Sequence, residues 1–316
     1  MLNKKQNKSL LFGACALTMN QRHMKFYTTL TLGLLALTSF ISVQAKTVRI
    51  VGADLLGAHI QSMIKAEADK AGWDVKVLFE GSLKGKEQVL NGEGDLAILA
   101  IPDGEAIDPV LASIPFSFEV ASIIVNDANP LNEISYEQLK LLFGTGGRSV
   151  MENWGQLGGT GPWANRQILV HIVRDYNSLS LELFRKKVLG QAEFRDKVQE
   201  WSSRDALLKH IVEVNGGIGI VPGNRTIAQT RLLFVSQTDK AQSYRPSEQS
   251  VLYSDYSLRL PYYLAYKSGT ELSSEVKRVA RFLLSDEVTK ALVSAGYISL
   301  PKNERHEYQM ELELGE

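Results

Sequence analysis

From residue 48 onward, short apolar runs alternate with segments in which apolar residues recur at helical spacing. The runs at 48–52, 75–79 and 95–101 predict β-strands, and the last is apolar enough for a buried parallel strand. Helices are predicted over 58–70, where Gly72 offers a stop, and over 82–90. Strands alternating with helices indicate a parallel sheet flanked by helices, which is an α/β fold.

The alternation restarts after a further apolar run and a polar turn near residue 126. Ser135 and Gln138 have the spacing of a capping box, which predicts a helix over 136–143. The remaining predicted elements are strands at 120–125, 168–173, 216–221 and 261–266, and helices at 177–188, 205–214, 275–284 and 287–294. The charged tail at 304–316 is expected to fray. Two alternating units, one interrupting the other, predict two lobes around a cleft, where small ligands usually bind.

The first 45 residues differ from the rest of the chain. They carry five basic residues and no acidic one, and an apolar run at 26–43 ends in Val43-Gln44-Ala45. This pattern predicts a signal peptide over 1–45 that is cleaved after Ala45, because it combines a basic start, an apolar run and small side chains before the cleavage site. A retained membrane anchor is the alternative, because the run is nearly long enough to span a bilayer. We therefore expect an exported, periplasmic protein.

Charge and cysteine content narrow the function classes. The whole chain has 35 basic and 35 acidic residues, so residues 46–316 keep 30 basic and 35 acidic ones. A mildly acidic body argues against a nucleic-acid partner, which needs a basic face. The single cysteine, Cys15, lies in the leader, so the body has no disulfide and no thiol nucleophile. Its histidines lack metal-ligand spacing, and no catalytic motif is present, so we expect no metal, no cofactor and no enzyme activity.

Several motifs occur in a characteristic order. They include Glu137-Gln138-Leu139 in the predicted helix, the loop at 153–159 (NWGQLGG), the strand at 216–222 (GGIGIVP) and the closing segment at 296–301. In this order they resemble the PstS-like phosphate-binding periplasmic proteins, which are type II periplasmic binding proteins. The resemblance implies two lobes, each a mostly parallel sheet flanked by helices. We place lobe 1 at 46–125 plus 250–316 and lobe 2 at 126–249.

The resemblance also implies a function and a site. It implies a monomeric receptor that binds a small oxyanion, phosphate or similar, between the lobes and delivers it to an ABC permease. Arg174 and Ser178 match a family motif, with Ser180 beside them, and a guanidinium suits a tetrahedral oxyanion. Ser82 opens the corresponding helix of lobe 1. Asp54 is a further candidate, although a carboxylate there requires a protonated ligand.

Three positions depart from the family pattern. Asn177 and Leu179 stand where the family has glycines that let an oxyanion approach the backbone, and Ala100 stands where it usually has an acidic residue. Such changes in a buried polar site usually mean a different ligand or none. The alternative function is therefore a PstS-like sensor, adaptor or interaction protein that has lost phosphate binding.

Overall fold

A computed structural model of the protein describes residues 47–145, 151–190 and 192–314. The predicted signal peptide, with Cys15 and the cleavage site after Ala45, lies outside the described residues. Among the helices of the described part, none combines the length and the apolar character needed to cross a bilayer.

The first half begins with the predicted alternation of strands and helices. Its elements in chain order are β1 (Val48–Gly52), α1 (Asp54–Ala71), β2 (Val75–Leu78), α2 (Ser82–Leu90), β3 (Leu96–Ala100) and β4 (Leu111–Asn126). In α1, Leu56, Ile60 and Ile64 are buried at four-residue spacing, so one face of the helix packs on the sheet. Gly72 ends α1 in a left-handed conformation, with φ at 73°.

The interrupting segment contains shorter elements. They are β5 (Glu133–Ser135), α3 (Tyr136–Phe143), β6 (Leu169–Val173), α4 (Ser180–Phe184), β7 (Gln199–Trp201), α5 (Arg204–Glu213), β8 (Gly217–Pro222), β9 (Thr230–Leu232) and β10 (Phe234–Ser236). The predicted capping box at the start of α3 is confirmed, because Ser135 and Gln138 each bond the other's backbone N–H. A wide helical turn, Arg185–Leu189, continues α4.

The chain ends in a mainly helical region. Its elements are α6 (Glu248–Leu252), β11 (Arg259–Lys267), α7 (Ser274–Leu283), α8 (Asp286–Ala295), β12 (Ile298–Ser299) and α9 (Lys302–Leu314). The prediction of a frayed tail is wrong, because residues 302–314 form α9. Burial of Leu312 and Arg305 holds this helix to the body, and Arg305 bonds Asp286 at 2.8 Å.

One curved sheet runs through the described residues, in the order β2-β1-β3-β11-β4-β8-β6-β7. Its outer pairs are parallel, as predicted, whereas β11 and β4 in the middle run antiparallel to their neighbours. β4 pairs with β11 up to Val120 and with β8 from Ala121 onward. A single strand therefore belongs to both halves of the sheet. The predicted lobe boundaries at 125/126 and 249/250 stay a prediction.

Candidate functional site

A pocket of about 290 Å³ opens beside residues 177 and 178. Its lining combines residues from both predicted lobes. Lobe 1 contributes His59, Glu119, Ala295, Gly296 and Tyr297, and lobe 2 contributes Asp175, Asn177, Ser178, Ser202, Ser203, Arg204, Asp205 and Pro222. The lining thus joins residues from both sides of the predicted lobe boundaries.

The ends of regular elements position these side chains. Ser178 follows β6, and Ser203 and Arg204 begin α5, where the Ser203 hydroxyl accepts a bond from the Ala206 N–H. Gly296 ends α8 in a left-handed conformation, with φ at 104°, and Tyr297 follows it. Element ends carry the polar lining because backbone N–H and C=O groups and capping side chains concentrate there.

Glu119 is the most unusual residue of the site. It lies in β4 with only 3% of its surface exposed. Its Oε1 accepts bonds from the Ser178 hydroxyl at 2.5 Å, the Leu179 N–H at 2.5 Å and the Ser180 N–H at 3.1 Å. Its Oε2 accepts a bond from the Tyr262 hydroxyl at 3.1 Å. Four donors therefore converge on one carboxylate.

The electrostatics of Glu119 combine two opposing effects. Burial raises the pKa of the Glu119 carboxyl above its usual value, and the hydrogen bonds from Ser178, Tyr262, Leu179 and Ser180 offset only part of that rise. Burial also raises the pKa of the Tyr262 hydroxyl, and the neighbouring Glu119 carboxylate raises it further. Tyr262 therefore stays protonated and remains a donor to Glu119.

Two further groups in the pocket have unused hydrogen-bonding capacity. The Tyr297 side chain is buried, and its hydroxyl has no hydrogen-bond partner of standard geometry among the described residues. Arg204 donates one long bond, 3.4 Å, to the Pro222 carbonyl, and its buried Nε lies 3.8 Å from Asp205 without a hydrogen bond. Burial lowers the pKa of the Arg204 guanidinium, and the charge of Arg225 lowers it further. Both groups belong to residues that line the pocket.

The structure brings together two of the five predicted site residues. The hydroxyl oxygens of Ser178 and Ser180 lie 2.9 Å apart, and Ser178 lines the pocket. Arg174, Ser82 and Asp54 are not among the residues that line this pocket.

Each of these three residues has its own surroundings. Arg174 makes a two-pronged pair with Glu200, at 2.7 and 2.5 Å, and its side chain is 42% exposed. The Ser82 oxygen accepts a bond from the Ala100 N–H at 2.9 Å. Asp54 is exposed at the first residue of α1. The structure therefore gives Arg174 and Ser82 protein partners of their own.

Sequence reasoning missed Glu119 and Arg204. The available signal for Glu119 was one acidic residue in an otherwise apolar run, between Phe118 and Val120. A carboxylate is almost never buried without partners, so such a position predicts a specific donor set. For Arg204 the sequence offered only its place beside a helix-capping serine.

The fold is that of the two-lobed periplasmic binding proteins, and comparison with known proteins gives the family. The chain belongs to the PBP superfamily, whose domain matches residues 42–287. The phosphate-binding protein PstS of Pseudomonas aeruginosa is 24% identical over 195 residues, which are 60% of this chain and 60% of that protein. The match thus spans less than two thirds of the length of this curated relative.

Solved structures support the same fold. A possible phosphate-binding protein from Planctomyces limnophilus superposes with a TM-score of 0.65 at 17% identity, covering 86% of this chain and 99% of that one. An ABC-type phosphate transport receptor from Vibrio cholerae superposes with a TM-score of 0.60 at 19% identity, covering 81% of this chain and 100% of that one. The predicted PstS-like resemblance and the two-lobed type II fold are confirmed.

Proposed function

We propose that the protein is an exported, PstS-like solute-binding protein that holds a small solute in this pocket and delivers it to an ABC permease. The observation that carries the proposal is the pocket lining, to which both predicted lobes contribute polar side chains. A solute that contacts both lobes favours the closed arrangement of a hinged receptor. The relatives named phosphate-binding or phosphate transport proteins support the same class of function.

A small oxyanion, phosphate or similar, is the solute that the resemblance suggests. The pocket offers such a ligand the Arg204 guanidinium and the hydroxyls of Ser202 and Ser203. Guanidinium and hydroxyl donors are suited to oxyanions. The carboxylates of Asp175 and Asp205 line the same pocket and disfavour ligands with a high negative charge.

A second function is favoured by one observation. Glu119 already accepts the bonds of Ser178, Leu179 and Ser180, which stand where the family's oxyanion-binding residues are expected. The protein would then be a PstS-like sensor, adaptor or interaction protein that no longer binds phosphate.

Calorimetric titration and thermal-shift measurements on the purified protein separate the two functions. The ligands are inorganic phosphate, sulfate and small organophosphates. A solute receptor for oxyanions shows saturable heat and a higher Tm with one of them, because a ligand that binds only the folded state stabilises it. Absence of both effects with every oxyanion contradicts the receptor function for this ligand class and supports the second function.

A further inference from the structure

The donor set around Glu119 would suit any small oxyanion. It consists of two adjacent backbone N–H groups, one serine hydroxyl and one tyrosine hydroxyl, all within 3.1 Å of the carboxylate oxygens. Donors that converge in this way stabilise a negative charge strongly in a site from which water is excluded. Tyr297 is buried beside Tyr262 and lines the same pocket, where its hydroxyl is a further potential donor.

The carboxylate that occupies these donors is covalently attached to β4. A side chain on a strand is present at a fixed position, so a free anion competes for the donors with a group that never dissociates from the protein. Any anion that entered beside Glu119 would also meet a second negative charge at short range, and two like charges in a buried site strongly oppose each other.

We infer that Glu119 is a specificity-determining residue that serves as the resident anion of this site and excludes free oxyanions from the donors at 178–180. The inference deepens the proposed solute-binding function and rests on it, because both concern the same pocket. It assigns to the wild-type site a solute that contacts Glu119 through a neutral or cationic polar group, with Arg204 available at another part of the lining.

The test is to remove the carboxylate and offer a small anion in its place. Glu119→Ala removes the acceptor that the four donors share, and acetate supplies a new one. Within the segment itself, the Ser180 N–H keeps only the Ser178 hydroxyl oxygen at 3.1 Å, and the Ser178 hydroxyl can turn to Ser180 Oγ at 2.9 Å. We expect acetate to raise the Tm of Glu119→Ala in a saturable way, at constant ionic strength set with chloride, and to leave the Tm of the wild type unchanged. We also expect inorganic phosphate to bind Glu119→Ala at least about tenfold more tightly than it binds the wild type.

Asp205→Ala is the matched control. It removes a negative charge from the same pocket lining but frees none of the donors at 178–180. If relief of charge alone improved phosphate binding, Asp205→Ala and Glu119→Ala would gain equally, and that result would overturn the inference. A folded Glu119→Ala protein that responds to acetate and phosphate no more than to chloride would overturn it as well.

Two measurements keep the test decisive if Glu119→Ala folds poorly. Its refolding yield in acetate should then exceed its yield in chloride, and equal yields contradict the inference. In the wild type, phosphate binding that Ser178→Ala abolishes also contradicts it, because a free anion would then be using the donors. Wild-type binding that survives Ser178→Ala supports the receptor function and leaves the role of Glu119 intact, so the two proposals fail separately.

Discussion

His171 is a buried histidine whose ionisation links stability to pH. It lies in β6, accepts a bond from the Trp201 indole at 3.3 Å, and packs edge-on against the His210 ring at a centroid distance of 4.9 Å. Burial, with a smaller effect of His210, lowers the pKa of His171 to about 4. In the unfolded chain a histidine takes up its proton near pH 6.5.

The sign of the pH dependence follows from these values. Between about pH 6.5 and pH 4 the unfolded chain binds a proton at His171 that the folded protein does not bind, so the free energy of unfolding falls as the pH falls. We expect His171 to account for a loss on the order of 1–2 kcal/mol across this window, with allowance for solvent screening. Urea unfolding of the wild type and of His171→Gln at pH 7 and pH 4.5 measures this loss of unfolding free energy.

The free energy of unfolding of His171→Gln should depend less on pH than that of the wild type, whatever the stability of the variant at pH 7. His306→Gln is the control, because His306 is exposed on α9. Equal pH dependence in the wild type and His171→Gln would contradict the assignment.

Glu119 shows the limit of sequence reasoning at the scale of the residue. Three of its partners lie about sixty positions away along the chain, and the packing of α4 against β4 brings them together. The fourth, Tyr262, lies 143 positions away on β11. Ser178 was predicted because a local motif contains it. Arg174 was predicted by the same motif, but a local motif does not reveal that Glu200 on the neighbouring strand pairs with it.

At the scale of the element, the capping box of α3 is a local feature that sequence predicts well. The Gln138 N–H donates to the Ser135 hydroxyl at 3.2 Å, and the Gln138 side chain accepts the Ser135 N–H at 3.0 Å. Ser135→Ala should lower the free energy of unfolding by about 1 kcal/mol, because the first turn of α3 loses an acceptor for its N–H groups. Denaturant unfolding measures the change, and Ser135→Thr, which keeps the hydroxyl, should recover most of it.

Gly223 lies against the end of α8. A Cβ at Gly223 would come within 2.4 Å of the Gly296 carbonyl oxygen, and the φ of Gly223 is 72°. Gly223→Ala should therefore lower the free energy of unfolding by about 2–3 kcal/mol. Part of this loss comes from the left-handed backbone and part from the forced separation of the two segments. Thermal and denaturant unfolding measure the loss.

Gly158→Ala separates these two causes. Gly158 has a φ of 86°, but a Cβ there would meet no atom of the described residues within 4 Å. The free energy of unfolding of Gly158→Ala should fall only by the cost of the left-handed backbone, about 1 kcal/mol. Equal losses at positions 158 and 223 would show that the close approach to Gly296 contributes nothing.

The bounds of β4 illustrate why element prediction from sequence has limits. The sequence predicted a strand over 120–125, whereas β4 begins at Leu111. The longer strand contains Pro115, and proline cannot donate to a neighbouring strand. The structure accommodates it where the pairing with β11 shifts register between Tyr262 and Tyr263. Such a bulge depends on both strands, so it is not visible in either one alone.

At the scale of the whole molecule, one ion cluster joins residues from both predicted lobes. Asp103 bonds Arg259 at 2.7 Å and Lys187 at 3.0 Å, and Arg259 is nearly buried. Burial acts to raise the pKa of Asp103, but the bonds from Arg259 and Lys187 hold it below its usual range. Asp103→Asn should cost about 2 kcal/mol of unfolding free energy, because a buried guanidinium loses its counter-charge.

Glu152→Gln provides the comparison for that prediction. Glu152 pairs with Lys197 at 3.7 Å, and both side chains are exposed. Its loss should stay below about 0.5 kcal/mol, since an exposed pair contributes little. Chemical unfolding of both variants measures the difference, and similar losses would show that burial of Arg259 does not matter.

The order of the motifs predicted the two-lobed architecture, because each motif belongs to a segment whose place in the fold is shared among relatives. A cleft between the lobes was predicted from that architecture, and residues of both predicted lobes line the pocket. The chemistry within the cleft did not follow. It depends on side chains from six separate segments, and their distances are fixed only by the complete packing of the sheet and helices.

The pairing of β4 with strands in both halves of the sheet has a mechanical consequence. Its pairing passes from β11 to β8 between Val120 and Ala121, one residue after Glu119. In the proposed hinge motion, rotation of one half of the sheet against the other would be absorbed by backbone torsions near this junction. Glu119 and its bonds to the segment 178–180 lie beside the same junction. The residue that holds this donor set and the part of the strand that would flex are therefore immediate neighbours in the sequence.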